Sequence, residues 1–163
     1  MKDEKGLTFL STILIVIIIA LIVFGVVYIV KIQMNKENLE NLKTDMLLVQ
    51  AKTKKIQGDY TLDKKDETLV GTKISEMQEN ETIKSFIEKD LFKIDEKNKK
   101  YYVLNQDNLN SLELNQVVLE EGHFFIVEYT ENEIYHTKGF TYTDGNTYYK
   151  LSEIENLEMQ DEF

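Results

Sequence analysis

From Gly6 to Val30 the chain carries no charged residue, and eighteen of the 24 positions from Leu7 to Val30 are Leu, Ile, Val or Phe. As a helix rising 1.5 Å per residue, this run covers roughly 36 Å, enough for a hydrocarbon core of about 30 Å with some tilt. At roughly −0.3 to −0.6 kcal/mol per large apolar residue, its insertion into a bilayer is favoured by about 8 kcal/mol. A cleaved secretory signal has a shorter apolar core, about 7 to 15 residues, followed by a small-residue site. Tyr28-Ile29-Val30-Lys31 offers no such site. Residues 7–30 are therefore expected to form a retained transmembrane helix, with residues 1–6 ahead of it and any folded domain behind. Lys2 and Lys5 on one side face Lys31, Lys36 and Lys43 on the other, so the positive-inside rule does not orient the span.

No Pro or Gly interrupts the chain between Val30 and Gly58, and apolar residues recur at Ile32, Leu39, Leu42, Met46, Val49 and Ile56. These spacings make one stripe on a helix that continues the anchor over 31–57. Gly58-Asp59 is the expected stop. The stripe has two readings. It packs on the protein's own globular domain, or it forms a coiled-coil seam with a partner, a seam interrupted by Asn35 and Thr53.

Residues 58–163 are left for one domain, a size typical of small globular units. Charge is divided unevenly, at +3 for residues 1–58 and −13 for residues 59–163. A surface that acidic repels phosphate backbones, which argues against nucleic-acid binding by the distal domain. Cysteine is absent, so disulfides, thiolate nucleophiles and Cys-type zinc sites are excluded. The pattern predicts an α+β fold. Asp59 to Thr72 is polar and turn-rich. Asn80 caps a short helix carrying Ile83, Phe86, Ile87 and Leu91 on one face. Tyr101 to Leu104 reads as a strand and Asn105 to Leu112 as a helical turn. His123 to Tyr129 and Glu133 to Thr137 read as paired strands, Phe140 to Tyr149 as a hairpin around Asp144-Gly145, and Leu151 to Met159 as a closing helix with Ser152 near its start.

The junction Lys5-Gly6-Leu7-Thr8-Phe9-Leu10, followed by the long apolar helix, resembles the prepilin leader of type IV pilins and of the pseudopilins of type II secretion and competence systems. The resemblance covers residues 1 to about 57. It implies cleavage after Gly6 by a prepilin peptidase on the cytoplasmic face, methylation of the new N-terminus at Leu7, and Lys5 as the basic residue before the cut. It also implies a cytoplasmic N-terminus, an extracytoplasmic distal domain, and other pilin-like subunits as partners. The fifth residue after the glycine, usually Glu in that family, is Ser11 here. An acid at that depth is costly in lipid unless it pairs with a neighbouring subunit's amine, and Ser11 cannot pair so; its hydroxyl is expected to bond back to the Leu7 carbonyl. This departure favours a minor subunit over a self-polymerising one. Gly25 is the only candidate hinge in the span, and Leu39, Leu42, Met46 and Val49 are the assembly positions on the stripe. A long N-terminal helix backed by an antiparallel meander is also what the family's fold implies.

Three sets of residues bear on possible chemistry. His123 and His136 fall near each other across the predicted hairpin, but two imidazoles make no closed metal site. Asp59, Asp63, Asp66 and Glu67 cluster after the helix, yet their spacing fails the calcium-loop pattern, so a solvated acidic loop is expected. The tyrosines at 101, 102, 129, 135, 142, 148 and 149 suggest either an aromatic ligand face or core and cross-strand pairs, the latter being the commoner use at strand spacing. No Gly-rich phosphate loop, nucleophile elbow or Ser/His/Asp set is evident. The expectation is a structural, non-enzymatic, pilin-like subunit without cofactor, metal or small-molecule substrate. Two alternatives are kept: an uncleaved bitopic scaffold resembling small division-complex proteins, and a membrane-anchored sensor whose distal domain binds a small ligand.

Overall fold

The computed structural model describes residues 4–91 and 99–158, with side chains from Ile13 onward. The chain divides into two compact units, residues 1–38 and 39–163. Helix α1, Glu4–Asp63, supplies nearly all of the first unit and the opening element of the second. From Ile13 to Val30 every side chain is exposed, Phe24 to 73 %, so none of this surface finds a protein partner within the chain. It is the one helix among the described residues long and apolar enough to cross a membrane.

The second unit is built on a five-stranded antiparallel meander in simple sequence order. The strands are β1 (Thr72–Lys73), β2 (Tyr101–Leu104), β3 (Phe125–Glu128), β4 (Glu133–Thr141) and β5 (Thr147–Lys150). Short helices α2 (Glu81–Ile87), α3 (Gln106–Ser111) and α4 (Leu151–Ile154) fill the connections. This α+β layout, a long N-terminal helix with an antiparallel sheet, is the one the pattern predicts.

Because side chains alternate across a strand, the sheet sorts its residues into two cores. On one face Tyr102, Leu104, Phe125, Val127 and Ile134 join Leu39, Met46 and Val49 of α1. On the other, Tyr101, Val103, Ile126 and Tyr135 join Ile74 and, from α2, Ile83 and Phe86. Strands β2 and β3 are consequently buried at every position. A sheet covered on both faces reads as a continuous apolar run, which is why the alternation at His123 to Tyr129 is weak in sequence.

Four expectations are corrected. Gly58-Asp59 does not end α1, which continues to Asp63 and closes on Lys64 at φ 52, whose N–H donates to the Tyr60 carbonyl at 2.7 Å. Tyr60 packs on the helix-side core and Thr61 back-bonds to Gln57, so local contacts override a glycine that merely tolerates other conformations. The stretch from Asp59 to Thr72 is thus not all turn: it holds the end of α1, a 3-10 turn at Asp66–Thr68 and the start of β1. Glu133 to Thr137 and the first arm of the later hairpin are a single strand, β4, broken in register between Tyr135 and Phe140. Gly139, at φ +66 with Tyr148 O only 2.5 Å from where a Cβ would sit, makes that irregularity possible. Finally, α4 begins at Leu151 as expected, with Ser152 in its first turn, but it ends at Ile154; Met159 lies outside the described residues. Asn80 caps its helix as expected, and Asn105 caps α3 through a reciprocal capping box with Asn108.

Candidate functional site

Four groups of residues are candidates for function: the Lys5-to-Ser11 segment at the start of α1, the helix stripe, the histidine pair and a charged cluster beside β1. The backbone of Lys5, Gly6, Leu7 and Ser11 lies within α1. Their side chains, and with them the expected Ser11–Leu7 bond, fall outside the described residues. Helix α1 runs through Gly25 without interruption, and no atom lies within 4 Å of where its Cβ would be.

The stripe is committed to the protein's own domain. Leu39, Met46 and Val49 are fully buried and Leu42 packs against the same cluster. Thr53, which interrupts the apolar seam, is also fully buried, and the reason is a polar clamp. Its hydroxyl lies 2.9 Å from the Val49 carbonyl and 3.0 Å from Asn132 Oδ1. Asn132 Nδ2 donates to Gln50 O, Gln50 Nε2 donates to Asn132 O, and Gln57 Nε2 donates to Thr130 O. The β3–β4 turn is thereby held to α1 over residues 50–57, with Asn132 in the left-handed region at φ 58 that its side chain tolerates. Glu128, also buried, closes the same turn by accepting N–H bonds from Lys100, Thr130 and Glu131. With these side chains used inside the domain, the coiled-coil reading of residues 32–56 loses its seam.

The two histidines meet as the hairpin predicts, with ring centroids 6.2 Å apart. His136 is buried against Phe125 with its Nδ1 unpaired, and burial, then His123 and Lys138, lowers its pKa to about 4. His123 sits at the rim of a groove of about 430 Å³ between α2 and strands β4 and β5, beside Lys89, Thr137 and Tyr149. Among the described residues no three His, Cys, Asp or Glu side chains converge in a way that could hold a metal ion. The tyrosines do not share one face. Tyr101, Tyr135 and Tyr149 lie on the α2 side and Tyr102, Tyr129 and Tyr148 on the α1 side, several in edge-on aromatic pairs.

The acidic run after the helix is taken apart by the fold. Asp59 and Asp63 end up on α1, whereas Asp66 turns back to the sheet and bridges two lysines, Lys100 at 2.6 Å and Lys73 at 3.1 Å. Those hydrogen-bonded ammonium groups hold the Asp66 carboxyl below the usual carboxylate range, and Asp66 in turn raises both lysines. Lys100 also lies over the Tyr60 ring. Sequence reasoning placed Asp66 in a solvated loop and did not connect it to Lys73, because two-residue β1 leaves no periodic signal. The one legible hint is that Lys100 and Tyr102, two apart beside a predicted strand, share a face.

Compared with known protein families, curated proteins and solved structures, the chain matches none.

Proposed function

We propose that the protein is a pilin-like or pseudopilin-like structural subunit, a minor component of a membrane-anchored filament or of a secretion or DNA-uptake apparatus, with no enzymatic role. The observation that carries this reading is the Lys5-Gly6-Leu7-Thr8 junction set directly before an apolar helix that continues into a domain-packing stripe. Supporting it, the exposed run from Ile13 to Val30 has the chemistry of a lipid-facing surface, while the same helix further on is the first element of an antiparallel α+β domain. In this reading Gly6 presents a side-chain-free backbone to a prepilin peptidase, Leu7 becomes the methylated N-terminus, and the acidic domain stands outside the cytoplasm. Its partners are the peptidase and other pilin-like subunits.

Coexpression with an active prepilin peptidase tests this. Intact-mass analysis is expected to show loss of residues 1–6, and Gly6→Leu is expected to block it. A protein that still begins at Met1 beside a peptidase shown to process a control prepilin would overturn the reading.

A further inference from the structure

Beside β1 lies a cavity of about 230 Å³, several times the ~30 Å³ share of one water, bordered by Asp66, Lys73, Ser75, Lys99, Lys100 and Tyr102. Its geometry follows from the register. Lys73 is the direct cross-strand partner of Tyr102, so the two side chains share a face, and Lys100 lies two residues before Tyr102, so it shares that face too. Asp66 enters from the 3-10 turn and lies between the two ammonium groups.

Two features of this cluster are not explained by the fold. Tyr102 is 96 % buried, taking its 4 % exposure, and its hydroxyl has no hydrogen-bond partner, although an orphaned buried hydroxyl costs on the order of 1–3 kcal/mol. Its neighbour Tyr129, by contrast, donates to the Val70 carbonyl at 2.9 Å. Secondly, Lys73, Lys99 and Lys100 converge within a region of net charge −13. Lys99 is engaged by Glu131 at 3.6 Å, while Lys73 and Lys100 share the Asp66 carboxylate, with Glu76 acting on Lys73 from further off. A phenol O–H and two ammonium groups converging on one cavity form a donor set for an oxyanion, and charge-assisted donors of this kind are the strong ones.

We infer that the cavity bordered by Lys73, Lys100 and Tyr102 binds a small free oxyanion, phosphate or sulfate, with Asp66 as the internal carboxylate that holds the two lysines when the anion is absent. Binding pairs the Tyr102 hydroxyl and moves Asp66 out of its bridge. Asp66 therefore weakens the site by competing for the same donors, and it sets a threshold concentration for occupancy.

The experiment uses the full chain in detergent micelles at fixed ionic strength, with sodium chloride exchanged for phosphate, sulfate or acetate. Thermal unfolding and line broadening of the phosphate 31P resonance are the two readouts. A saturable rise in unfolding temperature with phosphate and sulfate is expected. Asp66→Asn, which removes the competing carboxylate charge from both ammonium groups, is expected to bind phosphate at least tenfold more tightly and to recover with phosphate the stability it loses in chloride. Tyr102→Phe keeps the ring and removes the donor, and is expected to bind at least fivefold more weakly with an unchanged near-ultraviolet circular dichroism spectrum. The inference is overturned if phosphate acts no differently from chloride, if Tyr102→Phe binds as the parent does, if acetate alone binds, or if Asp66→Asn is destabilised and phosphate does not restore it.

Discussion

Single residues in this domain are decided by whether a buried polar atom finds a partner. Thr53, Glu128 and Asn132 are buried and satisfied, which converts three apparent flaws in a core into a clamp on the β3–β4 turn. His136 is the opposite case. Its buried imidazole has no partner for Nδ1 among the described residues, faces His123 and Lys138 as like charges once protonated, and among those residues has Glu120 to favour the charged form. Its folded pKa, about 4, lies below the unfolded value of about 6.5, so in the window between them the unfolded chain binds the extra proton. Stability is expected to be intact above pH 6.5 and to fall as the pH drops towards 4, by about 3 kcal/mol at most from this group. Urea unfolding at a series of pH values checks this. His136→Leu is expected to flatten that part of the profile, and an equal slope in the variant would assign the acid sensitivity to carboxylates instead.

At the scale of elements, glycine has opposite meanings at two places. Gly58 is helical, exposed, and has no atom within 4 Å of where a Cβ would sit. Replacing it with Ala removes a helix-interior glycine, which is worth up to about 1 kcal/mol. Gly58→Ala is therefore expected to raise the urea midpoint. Gly139 sits at φ +66 in the register break of β4, where a Cβ would press on the Tyr148 carbonyl and the Tyr149 ring. Gly139→Ala is expected to lower the midpoint, through a loss of roughly 1–3 kcal/mol of stability for the strained backbone alone. A pair of variants changing in the same direction would mean that α1 beyond Gly58, or the break in β4, is not as described. The same comparison shows why α1 outruns its sequence signal: Tyr60 packs into the core, and a contact of that kind outweighs the weak local preference at Gly58.

For the whole molecule, the division falls between Asn38 and Leu39, not at the end of the helix. The last 25 residues of α1 therefore belong to the distal domain, and Leu39, Met46 and Val49 are core residues, each contributing roughly 1.5–3 kcal/mol on burial. A fragment from residue 31 onward is expected to be soluble, monomeric and cooperative in thermal unfolding. One from residue 59 onward is expected to aggregate or to lack a cooperative transition, because it strips the helix from one face of the sheet and leaves Phe125, Val127 and Ile134 open to water. Size exclusion with multi-angle scattering and calorimetry decide between them; an equally stable fragment from residue 59 would return the stripe to the pool of partner-binding surfaces.

The apolar run from Leu7 to Val30, the continuing stripe, the Asn80 cap and the Asp144-Gly145 hairpin could all be read from the chain, because each depends on neighbours within a few residues. Burial of the stripe in the chain's own domain was one of two open readings, and only the tertiary structure decided it. The fold likewise decided that Thr53 would be a clamp instead of a seam defect, that the tyrosines would divide between two cores, and that Asp66 would leave the acidic loop to join Lys73 and Lys100. Those outcomes depend on strand register and on pairs of residues such as Gln50 and Asn132, 82 positions apart, which periodicity cannot encode. The Lys5-Gly6-Leu7-Thr8-Phe9-Leu10 run is the reverse case: it is legible as six consecutive residues, and nothing in the fold of the domain behind it bears on how they are read.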